Sequence, residues 1–136
     1  MKNKHKLILV IIWMIFIFIM SSFNAVKSGE HSYYIASFIA RLLNIKDILL
    51  VVMIIRKLAH FTEYLILGIL VSNWLKDYQN NTHLNFVVCT MYAISDEVHQ
   101  LFVPGRSCEV RDMLIDVFGA IAGIFLFTIL SKKNKN

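Results

Sequence analysis

The sequence is poor in the residues that break helices or accompany disorder, with one proline and five glycines among 136 residues. Hydrophobic residues make up 57% of the chain, which excludes an intrinsically disordered composition. Internal repeats and low-complexity tracts are also lacking. A chain of this length has room for one compact unit, so we predict a single helical domain over residues 1–136.

Cysteine is equally scarce, and the two cysteines lie in unlike surroundings. Cys89 lies inside an apolar run, whereas Cys108 lies in a polar connection. These positions argue against a structural disulfide, so we predict that both thiols are unpaired.

Basic stretches interleaved with aromatic residues, which a nucleic-acid groove needs, are absent, so we expect no nucleic-acid partner. The net charge of +5 has another origin, because lysines flank the hydrophobic runs at both ends of the chain. These lysines are Lys2, Lys4, Lys6, Lys132, Lys133 and Lys135. This pattern is typical of membrane anchoring and makes the lipid bilayer the expected partner.

What the chain does contain is a series of long hydrophobic runs. They predict an all-α integral membrane bundle of about four transmembrane helices, at about residues 7–26, 59–75, 84–101 and 113–130. Between spans 1 and 2, residues 27–47 repeat apolar side chains at roughly helical spacing, which predicts a helix lying in the membrane interface. A signal peptide is the alternative for the first run, but Phe23 occupies the place of a small residue before cleavage.

Four antiparallel spans place both termini on the same side of the membrane. The tail lysines directly adjoin spans 1 and 4, whereas Arg56, Lys57 and Arg106 lie among carboxylates. The positive-inside rule therefore favours cytoplasmic termini.

This topology brings the polar residues of three spans to one end of the bundle. A charge within the hydrocarbon costs about 2.5 to 3.5 kcal/mol, so these groups are expected to face one another or water in a shared, partly buried site. Next to this site, Gly119 and Gly123 form a GxxxG pair that permits close approach of a neighbouring helix.

The polar set lacks an HExxH zinc motif, a GxSxG turn and a convincing cysteine–histidine pair. Its imidazole and carboxylate groups nevertheless suit acid–base chemistry or a divalent metal ion, whose occupancy the sequence leaves open. The catalytic candidates are His60, Glu63, Asp96, Glu97, His99 and Asp112. The substrate-binding candidates are Lys57, Tyr64, Gln100, Arg106 and Asp116. The alternative is a structural network in which Lys57, Arg106 and Arg111 neutralise the carboxylates.

Three ordered motifs add a family resemblance. They are RKLAHFTEYLILG at residues 56–68, YAISDEVHQLFVPGR at 92–106 and RDMLIDVFGAIAG at 111–123. Together with Ser21 and Ser22 after the first span, they resemble the VanZ family of small bacterial membrane proteins. The resemblance implies a role in the cell envelope, since that family is associated with resistance to the glycopeptide teicoplanin.

Two hypotheses about function follow, and whether the chain is an enzyme stays open. In the first, an outward-facing polar site binds or modifies a lipid-linked or anionic cell-wall component and so lowers the access of teicoplanin. In the second, the same residues serve a non-catalytic binding or accessory protein. Transport is a weaker third hypothesis, because the spans show no repeats or paired broken helices.

Overall fold

The computed structural model describes residues 2–23, 25–76 and 82–133, and within these ranges the chain forms α-helices and no strand. The helices are α1 (Lys2–Ser21), α2 (Ala25–Leu42), α3 (Ile48–Leu75), α4 (Thr82–Gln100) and α5 (Val110–Lys133). The predicted all-α class is confirmed. Asn24 in the first predicted span and Lys135 in the basic tail lie outside the described residues.

Helix ends differ from the predicted span ends, most notably at the end of the first span and at the start of the second. The helix that holds the first predicted span ends at Ser21, and residues 25–26 belong to α2. The helix that holds the second span begins at Ile48, well before residue 59, because Asp47 caps it and residues 48–55 contain no helix breaker. The Asp47 carboxylate accepts a hydrogen bond of 3.1 Å from the Leu50 backbone N–H.

This cap gives a first testable expectation. Asp47→Ala removes the acceptor for an otherwise unpaired N–H of α3 and should lower the free energy of unfolding by about 1 kcal/mol. Titration of the purified protein in mixed micelles with a denaturing detergent measures this loss. Asp47→Ser keeps an acceptor at the cap and should behave like the wild type; equal losses for both variants would contradict the capping role.

Helix α3 is the centre of the fold and contacts α1, α2, α4 and α5. Helix α3 runs antiparallel to α4. Ser72 near the C-terminal end of α3 bonds Asn85 near the start of α4, and Tyr64 earlier in α3 faces Tyr92 later in α4. Helix α3 is parallel to α5, since Lys57 pairs with Asp112 and His60 pairs with Asp116 one turn later. The ends of these helices therefore alternate, as the predicted up-and-down topology requires.

The contact between α3 and α5 depends on glycine. A Cβ atom at Gly119 would meet the Phe61 backbone carbonyl, and one at Gly123 would meet that of Leu65. On the α3 side of the same contact, a Cβ atom at Gly68 would meet the Ala120 backbone carbonyl of α5. The predicted close approach at the GxxxG pair is confirmed, and a third glycine on α3 takes part in it.

The surface of the protein is apolar, whereas its interior contains charged groups. Ile12 on α1 and Phe125 on α5 are 56% and 66% exposed, while Asp96, Glu97 and Asp116 are buried. Helix α1 over Asn3–Ser21 and helix α5 over Val110–Lys133 are long and apolar enough to cross a membrane. Since so large an exposed apolar surface suits hydrocarbon better than water, the chain is a membrane protein.

The two cysteines are unpaired, as predicted: Cys89 is buried and Cys108 is exposed. Cys89 belongs to an apolar core formed by α1, α3, α4 and α5, together with Val10, Leu67, Val71 and Ala120.

Candidate functional site

The predicted site residues come together at one end of the helices. The site is formed by residues 57–64 of α3, the last turns of α4, the loop at residues 101–109 and the first turns of α5. The C-terminal end of α1 reaches the same place, because Ser22 lies 3.1 Å from the His99 ring. This end of the protein is hereafter called the polar end.

Two side-chain contacts connect α3 to α5 at the polar end, an ion pair and a histidine–carboxylate hydrogen bond. Lys57 Nζ lies 2.8 Å from Asp112 Oδ1, and the lysine side chain is 36% exposed. One turn further in, His60 Nδ1 lies 3.2 Å from Oδ1 of Asp116, whose side chain is fully buried. The parallel course of the two helices produces this register, in which the outer pair is more exposed than the inner pair.

Glu97 connects α4 to the loop that follows it. Its carboxylate accepts hydrogen bonds from Gln100 Nε2 at 3.2 Å and from the Glu109 backbone N–H at 2.9 Å. Gln100 Oε1 in turn accepts bonds from Arg106 Nε at 3.1 Å and Nη2 at 2.9 Å. The buried carboxylate therefore holds both ends of the loop, and through Gln100 it orients the Arg106 guanidinium group.

His99 faces a different neighbour from the other predicted residues. Its ring packs against Phe18 in a tilted arrangement with the centroids 4.3 Å apart, and its Nε2 lies within hydrogen-bond distance of the Ser22 hydroxyl. These contacts attach α4 to the end of α1.

Some buried polar atoms at the polar end have no hydrogen-bond partner of ordinary geometry among the described residues. They are the Ser21 and Tyr64 hydroxyls, both Asp96 carboxylate oxygens and Asp116 Oδ2. Ser21 and Gln100 lie beside the Asp96 carboxylate without closing such a bond. Buried polar groups without partners carry a free-energy cost, which a bound polar molecule would remove.

A cavity of about 360 Å³ opens at the polar end between α1, α2 and α3. Predicted site residues His60, Glu63 and Arg106 line it. The other lining residues are Met20, Ser21, Phe23, Ser32, Ile35, Ile55, Arg56 and Ala59. Burial lowers the pKa of Arg106, and the nearby positive charge of Arg56 lowers it further. The cavity thus combines apolar walls with two neighbouring guanidinium groups.

The comparison with protein families agrees with the motifs. The model described as VanZ/LLP1 matches residues 6–131, which is nearly the whole chain. The chain belongs to the VanZ/LLP1 family. The resemblance inferred from the three motifs is confirmed, while no curated protein and no solved structure matches the chain. In this VanZ/LLP1 protein all three motifs contribute side chains to the polar end.

The cavity residues that were missing from the predicted catalytic and binding sets of the VanZ/LLP1 chain include Arg56 and Ser21. Arg56 precedes His60 by four residues, a spacing that places both on one face of a helix and offers a signal for its inclusion. Ser21 ends α1, and only the packing of α1 against α3 brings it to the cavity wall. Conversely, Lys57 and Asp112 pair with each other and are not among the cavity-lining residues.

The polar side chains of the VanZ/LLP1 site favour acid–base or anion-binding chemistry. Within residues 2–23, 25–76 and 82–133, no three His, Cys, Asp or Glu side chains are placed to hold a metal ion. His60 is oriented by Asp116 and lines the cavity beside Glu63, so an imidazole and a carboxylate face the same space. Such a pair can exchange protons with a bound molecule.

Proposed function

We propose that the chain is a multi-pass protein of the bacterial cell membrane, with α1, α3, α4 and α5 crossing the bilayer and both termini in the cytoplasm. Helix α4 has 19 residues, so its length of about 28 Å is close to the hydrocarbon thickness of about 30 Å. Basic residues lie in the last turn of α5 and in the first turns of α1, which supports this orientation. The polar end then faces outward.

Helix α2 occupies the membrane interface in this proposal. Ala36 and Ala40 pack against Val51 at the start of α3, whereas Tyr34 and Phe38 are 76% and 69% exposed. Aromatic side chains of this kind are common at the level of lipid headgroups. An interfacial α2 would form one wall of the cavity from the lipid side.

The outward polar end binds or modifies a component of the cell envelope, and this lowers the access of teicoplanin to its target. The observation that carries the proposal is the convergence of His60, Glu63 and Arg106 on one cavity at the place where the family motifs meet. Arg56 and Arg106 would hold an anionic group, and His60 would accept or donate a proton.

Teicoplanin susceptibility of a sensitive Gram-positive host tests this proposal. Expression of the wild type should raise the minimum inhibitory concentration, and His60→Ala should return it to the empty-vector value because the proton-exchanging group is lost. Ser95→Ala is the matched control, since the exposed Ser95 hydroxyl donates to the Tyr92 carbonyl of its own helix, and this variant should leave protection intact. Membrane levels are equalised by immunoblotting.

Protection by well-inserted His60→Ala equal to that of the wild type would refute a working site. If the wild type gave no protection at all, the proposed effect on teicoplanin would be refuted.

A non-catalytic accessory protein is the second candidate function. It is favoured by the mutual pairing of Lys57 with Asp112 and of His60 with Asp116, which gives these groups structural partners. In that case His60→Ala should leave graded protection in the susceptibility assay, because binding has other contacts.

A further inference from the structure

The cavity at the polar end has the composition of a site for an amphiphile. Its apolar wall includes Met20 from α1, Ile35 from α2 and Ile55 from α3, while its charged wall includes Arg56 and Arg106. A ligand that matches both walls carries an apolar chain and a negatively charged group. A free sugar has no apolar chain for the first wall, and a purely apolar molecule has no negative charge for the second.

The charged wall favours an anion. The lining carries two guanidinium groups, from Arg56 and Arg106, against one carboxylate, from Glu63. Two hydrogen bonds to Gln100 fix the guanidinium of Arg106, so its orientation is preorganised in the absence of a ligand. Guanidinium groups bind phosphate with charge-assisted, often bidentate hydrogen bonds, and an anion between the two arginines would relieve their mutual repulsion.

A buried hydroxyl also lines the cavity. Ser21 is 5% exposed and lines the cavity, yet its oxygen has no hydrogen-bond partner of ordinary geometry within the described part of the chain. A hydroxyl in this position can donate to a phosphate oxygen. Because Ser21 also lies beside the Asp96 carboxylate, its hydroxyl would be shared between that acceptor and a ligand, and the two arginines carry the argument for an anion.

The size of the cavity limits the apolar part of the ligand. About 360 Å³ lies near the lower end of the range of about 300 to 1,000 Å³ that is common for small-molecule sites. This volume suits a phosphate group and the first part of one chain better than the paired chains of a bilayer phospholipid.

We infer that the cavity binds the phosphate end of a single-chain lipid phosphate, with the phosphate between Arg56 and Arg106 and the chain against Met20, Ile35 and Ile55. This inference rests on the proposed function, because it names the chemical class of the envelope component held at the polar end. Binding itself requires no effect on teicoplanin, so the two proposals can fail separately.

Calorimetric titration of the full chain in nanodiscs of zwitterionic lipid tests the inference, with dodecyl phosphate as the probe. The wild type should bind the probe, and Arg56→Gln should weaken binding by about tenfold or more through loss of a charge-assisted contact. Arg41→Gln is the matched control, since Arg41 is an exposed arginine on α2 outside this cavity and its loss should leave the affinity unchanged.

A second variant tests the cavity with both arginines present. Ala59→Phe places a bulky ring in the lining and should also weaken dodecyl phosphate binding, while size-exclusion chromatography verifies that the variant remains folded. Inorganic phosphate and dodecanol are titrated separately, and each should bind at least about tenfold more weakly than dodecyl phosphate, since each satisfies only one wall.

The inference is overturned if the wild type does not bind dodecyl phosphate, or if Arg56→Gln and Ala59→Phe both bind like the wild type. If inorganic phosphate bound as tightly as dodecyl phosphate, the site would be assigned to free phosphate instead. Displacement of the probe by phosphatidic acid at matched concentration would assign it to bilayer phospholipid. Teicoplanin protection without probe binding would leave the proposed function standing and refute this ligand class alone.

Discussion

Gly123→Ala should destabilise the protein even though alanine is a better helix former than glycine. The added Cβ atom would meet the Leu65 carbonyl and the Ile69 backbone nitrogen on α3, and backbone atoms cannot turn aside as a flexible side chain can. Overpacking of this kind costs about 1 to 3 kcal/mol, which exceeds the gain of about 0.5 to 1 kcal/mol from helix propensity. The net change in the free energy of unfolding is therefore a loss.

Gly29→Ala is the matched control, because a Cβ atom at Gly29 on α2 has no neighbour within 4 Å. The same substitution should there be neutral or stabilising through helix propensity alone. Both variants are unfolded by denaturing detergent in mixed micelles and followed by circular dichroism. A Gly123→Ala protein as stable as Gly29→Ala would show that α3 and α5 are not held together at this glycine.

Glu97→Ala should release the loop at residues 101–109 from the end of α4. The substitution removes the acceptor for the Glu109 backbone N–H and for Gln100, and with Gln100 it frees the Arg106 side chain to reorient. Hydrogen bonds to a charged group contribute about 1.5 to 3 kcal/mol each. Opening of the loop should accordingly become about tenfold to a hundredfold more frequent.

Trypsin measures this opening, because Arg106 lies within the loop and is half-buried. Cleavage after Arg106 should accelerate in Glu97→Ala, whereas cleavage after the exposed Lys46 between α2 and α3 should keep its rate. Glu109→Ala is the control variant, since the contact with Glu97 uses the backbone of Glu109 and not its exposed side chain. Unchanged protection of Arg106 in Glu97→Ala would refute the role assigned to the Glu97 carboxylate.

The helices were predictable because their signal is local. Apolar runs and the lysines beside them predicted an all-helical membrane protein, and the GxxxG pair predicted a close helix contact. The start of α3 was harder to predict, because the charged residues Arg56 and Lys57 interrupt an apolar run that the helix crosses without a break. Continuity of a helix through charges depends on partners such as Asp112, which lies 55 positions further along the chain.

The sequence by itself determined the helical class, the membrane character and the gathering of polar residues near the ends of the helices, since each depends on residue type and on spacing along one helix. Only the tertiary structure decided which of these residues pair with one another and which line the cavity. It brought Ser21 and Arg56 to the cavity with His60 and turned His99 towards α1. The physical reason is that the rotation of each helix about its axis is set by packing against its neighbours, above all by the glycine contacts between α3 and α5.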